Sequence, residues 1–244
     1  MLRKRDFTLI IVIVLVTIVF SIKHYQVKAQ TEGLINYTNI DDSKYPKIVG
    51  KVGDLTISNR EYATMVHLIK IKYQNAGQSK DEKSYEKEAL RKIILDKLYE
   101  LEAKKYGLFV SEQEVDNYLN NMLKLYSSMD DKDKEKAKFL EIIKQDGFNN
   151  VEEFINNQQV KNAYKKALLK VKLRNYIMSK AKYPSEADVD EFIAENNLQS
   201  LNVDRAMVKQ QLYQKNKIDE WNNYSQQLLK SNNYEIYIPI TIDK

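Results

Sequence analysis

The chain has 244 residues, 43% of them hydrophobic and 30% charged, which is enough for one or two domains with a buried core. Its scarcity of glycine and proline points to long uninterrupted elements and excludes an all-β fold built on many tight turns. With no cysteine, disulfides, thiol catalysis, iron–sulfur clusters, thiolate zinc and the lipid anchor of a bacterial lipoprotein are excluded as well. The formal net charge of +5 is concentrated in Arg3, Lys4, Arg5, Lys23 and Lys28, so the rest is close to neutral and lacks the dense cationic field that nucleic acid requires.

Residues 1–6 are basic, and residues 7–22 run without a charge until Lys23. Apolar side chains surround this stretch instead of forming a stripe, which reads as a signal anchor or signal peptide and not as a core helix. At about 1.5 Å per residue it reaches roughly 24 Å, short of a hydrocarbon core of about 30 Å unless the flanking cations snorkel. Val27-Lys28-Ala29 is a poor cleavage site. An uncleaved single-pass anchor is therefore preferred, with secretion after cleavage at Ala29 as the alternative. The cations precede the span, which places the N-terminus in the cytoplasm and the body outside. Residues 1–29 are thus stub and anchor, residues 30–47 a polar tether, and residues 48–244 the folded body.

The body opens with a hairpin, 48–52 and 55–57, around Gly53-Asp54. Helices are then predicted over 59–75, 80–106, 112–128, 132–145, 151–181, 186–195 and 203–231. Ser58-x-x-Glu61, Ser111-x-x-Glu114 and Ser185-x-x-Asp188 fit the capping-box pattern, with Asn150-x-x-Glu153 a looser version. Gly107 and Gly147 supply natural stops, and Pro184 lies beyond the end of the long helix. Residues 235–242 alternate and are β-branched, so they read as a strand, at a sheet edge because of Pro239.

No catalytic motif is visible. His24 and His67 stand alone, too few for a zinc site or a Ser-His triad. Asp130, Asp131 and Asp133 lack the glycine and terminal glutamate of a calcium loop and read as a solvated acidic turn. No metal and no cofactor is expected. Two surfaces suggest binding. Met122, Tyr126 and Met129, joined by Phe148, Phe154 and Tyr164, are candidates for contact with apolar peptide, since methionine adapts and tyrosine is amphipathic. No acidic residue occurs between Glu153 and Glu186, and Lys161, Lys165, Lys166, Lys170, Lys172 and Arg174 fall in that window. They form either a solvated face balanced by acids elsewhere, such as Glu82, Glu86 and Glu88, or a patch for an anionic partner; the first is preferred.

The order of segments resembles the N-terminal chaperone domain of the SurA/PrsA family of extracytoplasmic foldases. Residues 48–60 (IVGKVGDLTISNR) are similar to the family's opening strand-turn-helix motif. Residues 90–115 (LRKIILDKLYELEAKKYGLFVSEQEV) carry its most specific spacing, through Gly107 and Ser111. Residues 139–154 (FLEIIKQDGFNNVEEF) and 181–196 (AKYPSEADVDEFIAEN) are similar to the two segments that close its helical unit. Only residues 198–202 separate the last of these from the final helix, which leaves no room for the parvulin prolyl-isomerase module common in the family.

The resemblance implies a mainly α chaperone domain with a small sheet made from the N-terminal hairpin and the C-terminal strand, and Trp221, Tyr224 and Leu228 packed in its core. It implies a membrane-associated protein that binds unfolded or extended exported polypeptides and has no isomerase activity; whether it forms a homodimer by exchanging terminal elements is left open by the sequence. The alternatives are a dedicated scaffold subunit of an envelope complex and, less favoured, a protein related to the prolyl isomerases.

Overall fold

The computed structural model describes residues 40–196, 198, 203–231 and 233–242. The proposed membrane span at 7–22, His24, the cleavage site and the first part of the tether lie outside the described residues. Among the described residues, no helix is long and apolar enough to cross a membrane.

The chain is mainly helical with one three-stranded antiparallel sheet. Its elements are β1 (Ile48–Val52), β2 (Leu55–Ser58), α1 (Asn59–Asn75), α2 (Glu82–Lys105), α3 (Glu112–Ser128), α4 (Lys134–Gln145), α5 (Val151–Asn156), α6 (Gln158–Met178), α7 (Glu186–Glu195), α8 (Arg205–Lys230) and β3 (Tyr234–Ile236). They form two compact units. One is Ser111–Ala167; the other joins Asn39–Val110 to Leu168–Lys244, and the division falls within α6.

In the second unit, Gly53 takes a φ of 51° at the hairpin turn, a conformation that favours glycine, so Val52 faces Leu55 across a two-residue connection. The strand order is β2-β1-β3, so the C-terminal strand does join the N-terminal hairpin. The strand is shorter than the alternation of residues 235–242 predicts. Pairing covers Tyr234–Ile236 and one further bond from the Tyr237 N–H to the Val49 carbonyl. Beyond it, Pro239 has no N–H to give a ladder. Ile238, Ile240 and Ile242 are apolar because they pack on the core, not because they pair.

That core gathers Val49, Val52 and Ile57 from the sheet, Tyr62, Val66 and Ile69 from α1, and Leu90, Ile93, Ile94 and Leu98 from α2. Leu173 and Ile177 of α6 and Leu228 and Leu229 of α8 complete it. Leu228 is buried and Trp221 and Tyr224 are half-buried against the cluster, as expected. Tyr99 ties the two ends together: its ring lies 4.7 Å from that of Trp221, and its hydroxyl donates to Ser225 Oγ at 2.8 Å. Residues 40–47, part of the stretch read as a tether, are fastened here. Tyr45 stacks edge-on with Tyr62 at 4.7 Å and donates to Glu86 at 2.6 Å, while Arg60 donates to the Ile40 carbonyl.

Helix starts follow the cap residues. Ser58, Ser111 and Ser185 each accept the N–H three residues on, and at Ser111 and Ser185 the reciprocal carboxylate bond closes a full capping box. Asn150 accepts from the Glu153 N–H, and Glu153 reaches back to the N–H of Asn149. Three starts lie one or more residues later than the periodicity predicts, because Asp81, Asp133 and Asp204 act as caps. The single long helix predicted over 151–181 is two helices. Asn157 takes an extended conformation, and its side chain accepts from the N–H groups of Gln159 and Val160, ending α5 and starting α6.

Candidate functional site

The unit Ser111–Ala167 is built around aromatic rings. The stripe Val115, Leu119, Met122 and Tyr126 on α3 follows helical spacing. Val115 and Leu119 of the stripe are buried, together with Ile143, Val151, Phe154, Ile155, Val160 and Tyr164. Phe154 is the hub: its ring meets Phe139 at 6.3 Å, Phe148 at 5.4 Å and Tyr164 at 6.3 Å, each nearly edge-on. Tyr164 also meets Tyr118 at 5.6 Å, and its hydroxyl approaches the Met122 sulfur at 3.6 Å. Burial pushes the Tyr164 phenol well above its ordinary range, with Tyr118 and Asp146 adding to the effect. It is a neutral donor at any physiological pH.

The six residues proposed for peptide contact therefore divide. Phe154 and Tyr164 are core and only 1% and 2% exposed. Met122, Tyr126, Met129 and Phe148 are half-buried, with Met129 capping the C-terminal end of α3. Leu123, Phe139, Leu140 and Ile142 are half-buried as well, and Leu125 is exposed. Tyr126 and Phe139 are in ring contact at 5.7 Å, which joins the α3 and α4 portions of this apolar face. Sequence reasoning missed Phe139, Leu123 and Leu125. The i, i+4, i+7 run from Val115 through Met122 was the signal that identifies the α3 side.

The basic run on α6 is extensively paired. Within Ser111–Ala167, Lys161 meets Asp116 at 2.8 Å and Lys165 meets Glu112, while Lys166 is exposed. Within the other unit, Lys170 meets Asp96 at 2.5 Å, Lys172 donates to the Phe109 carbonyl at 2.7 Å, and Arg174 is half-buried. The balancing acids are Asp96, Glu112 and Asp116 rather than Glu82, Glu86 and Glu88, of which Glu82 and Glu86 meet Lys44 and Glu88 meets Lys72 and Lys80.

The acidic turn at 130–133 serves the fold: Asp133 caps α4, and Asp131 pairs with Lys136 at 2.7 Å. Among the described residues, no group of three or more His, Asp or Glu side chains is placed to hold a metal ion.

A model of the SurA-like N-terminal domain family matches residues 1–162. No parvulin domain is detected. No curated protein and no solved structure matches the chain.

Proposed function

We propose that this chain, which belongs to the family of SurA-like N-terminal domains, is an extracytoplasmic holding chaperone for exported polypeptides. Family membership is the observation that carries the reading, because this family is generally involved in binding unfolded polypeptides. The apolar face of α3 and α4 suits the task. Met122, Tyr126, Phe139 and Phe148 rest on a buried aromatic floor while keeping part of their surface open. A client side chain settling there removes further apolar area from water, at roughly 25 cal/mol per Å², and leaves again without covalent chemistry. Methionine and tyrosine adapt to unlike clients with little ordering cost. In this reading the protein has no isomerase activity of its own, and residues 7–22 hold it to the membrane with the body outside.

The test is suppression of aggregation of a denatured secreted enzyme by the purified chain. Suppression at near-stoichiometric amounts, little changed by moderate salt, is expected for holding through apolar contacts. Failure to suppress, together with one stoichiometric partner in pull-downs from native membranes, overturns this reading in favour of a scaffold subunit. Turnover of a proline peptide overturns the claim of no isomerase activity.

A further inference from the structure

Met122 lies on α3, half-buried within the apolar face of α3 and α4. The hydroxyl of Tyr164, on α6 and in the same compact unit, donates to its sulfur at 3.6 Å. Met65, Met129, Met178 and Met207 are half-buried too, but no hydroxyl is bonded to their sulfurs among the described residues. Tyr164 is 2% exposed, and its ring meets those of Tyr118 and Phe154. Burial keeps the phenol protonated, so the proton stays available to donate. A thioether is a weak acceptor, and no other acceptor for this hydroxyl occurs among the described residues. A buried donor is thus aimed at an atom that uses little of its strength.

We propose that Met122 is an oxidation site for peroxides and that Tyr164 captures the sulfoxide oxygen, so that the fold and the apolar face outlast the reaction. In the step, a sulfur lone pair attacks one peroxide oxygen and the O–O bond breaks. The sulfur gains that oxygen and is oxidised by two electrons, and the peroxide is reduced. The transferred oxygen gives up its proton to the departing hydroxide, which leaves as water when the oxidant is hydrogen peroxide. A sulfoxide in a packed unit ordinarily costs stability, because its polar oxygen arrives among apolar groups without a donor. Here the donor is already in place. A sulfur–oxygen bond of about 1.5 Å and an O–H···O hydrogen bond of about 2.7 Å, meeting at about 115° on the sulfoxide oxygen, reproduce the observed 3.6 Å between sulfur and phenol oxygen. Capture therefore needs no change in the separation of the two side chains, and it exchanges a weak acceptor for a strong one. With the oxygen held inward, the carbons of Met122 stay available for apolar contact; this last consequence rests on the client-holding reading.

The experiment treats the full chain with hydrogen peroxide, folded and in urea, and counts Met122 sulfoxide by peptide mass spectrometry. Met122 is expected to be oxidised in the folded chain. A Met122 that reacts in urea and stays unmodified in the folded chain overturns the proposal. Melting temperatures are then compared before and after oxidation for the natural chain and for Tyr164→Phe, which keeps the ring and removes the donor. Met122→Leu in both backgrounds subtracts oxidation at the other methionines. Oxidation of Met122 is expected to lower the melting temperature of Tyr164→Phe by about 3 °C or more beyond the natural chain. Equal losses overturn capture by Tyr164. Aggregation suppression is expected to survive oxidation in the natural chain and to fall about threefold or more in oxidised Tyr164→Phe. Suppression lost equally from both overturns the claim that the face persists. No suppression by the untreated chain sinks the chaperone reading alone, and mass spectrometry and the melts still decide the oxidation site.

Discussion

Two neighbouring parts of the aromatic unit illustrate how differently single residues contribute. Phe154 is sealed among Phe139, Phe148 and Tyr164, so Phe154→Ala removes a ring that its surroundings cannot replace. A loss of about 4 kcal/mol is expected, read as lower urea resistance and faster amide exchange in Ser111–Ala167. Leu125 is 66% exposed on α3, and its removal leaves no cavity. Leu125→Ser is expected to change stability by under about 0.5 kcal/mol while weakening aggregation suppression, because only the open surface is altered. The reverse pattern, a destabilised Leu125→Ser with normal holding, would show that this face is structural. Residue type alone could not make this division: Phe154 and Met122 both read as candidate client contacts, and only packing separates the hub from the rim.

Caps decide where elements begin, and this is the level at which the sequence was most legible. Serine followed three residues later by a carboxylate marked α1, α3 and α7 at their observed starts. The break at Asn157 was invisible to periodicity because neither glycine nor proline signals it; an asparagine side chain turning back on the next N–H groups does so locally. The C-terminal strand was overextended because alternating isoleucines that pack on a core look the same as alternating isoleucines that pair. Cap chemistry also sets a pH dependence. Hydrogen bonds from Asn149 to Glu153, from Ser185 to Asp188 and from Ser84 to Asp81 hold these carboxyls below their ordinary values. A depressed carboxyl contributes stability that is present above its unfolded pKa and disappears as pH falls through the folded one. Thermal melts followed by circular dichroism are therefore expected to fall between about pH 5 and pH 3, and Asp188→Asn with Glu153→Gln to flatten that fall. A melting temperature unchanged across this interval would refute the assignment. The sheet supplies a further element-scale test. A Cβ at Gly50 would lie 2.5 Å from the Glu235 carbonyl oxygen, a backbone atom that cannot step aside. Gly50→Ala is expected to cost about 2 kcal/mol or more and to expose the amides of Tyr234–Ile236 to exchange while the β1–β2 hairpin stays protected.

At the scale of the whole molecule, the unit that carries the sheet is assembled from sequence-distant halves. Its core needs Leu173 and Ile177 from α6, and Leu228, Leu229 and Ile242 from the C-terminal portion, against α1 and α2. Such long-range closure is entropically costly and is completed only when the final helix and strand arrive. The intervening Ser111–Ala167 closes locally, on its own rings and caps. Truncation before Arg205 should therefore act unevenly. It strips Trp221 and Ser225 from Tyr99, Leu228 and Leu229 from the core, and β3 from β1. The amides of α2 are expected to lose protection by orders of magnitude, whereas those of α3 and α5 keep most of theirs, so exchange read segment by segment distinguishes the two units. Equal loss across both would mean that they unfold as one cooperative body, and the division at α6 would then describe geometry without energetic independence. Uneven loss would mean that the α3 and α4 face persists when the sheet-bearing core opens, so that client holding by the truncated chain becomes a direct measure of what that face does alone.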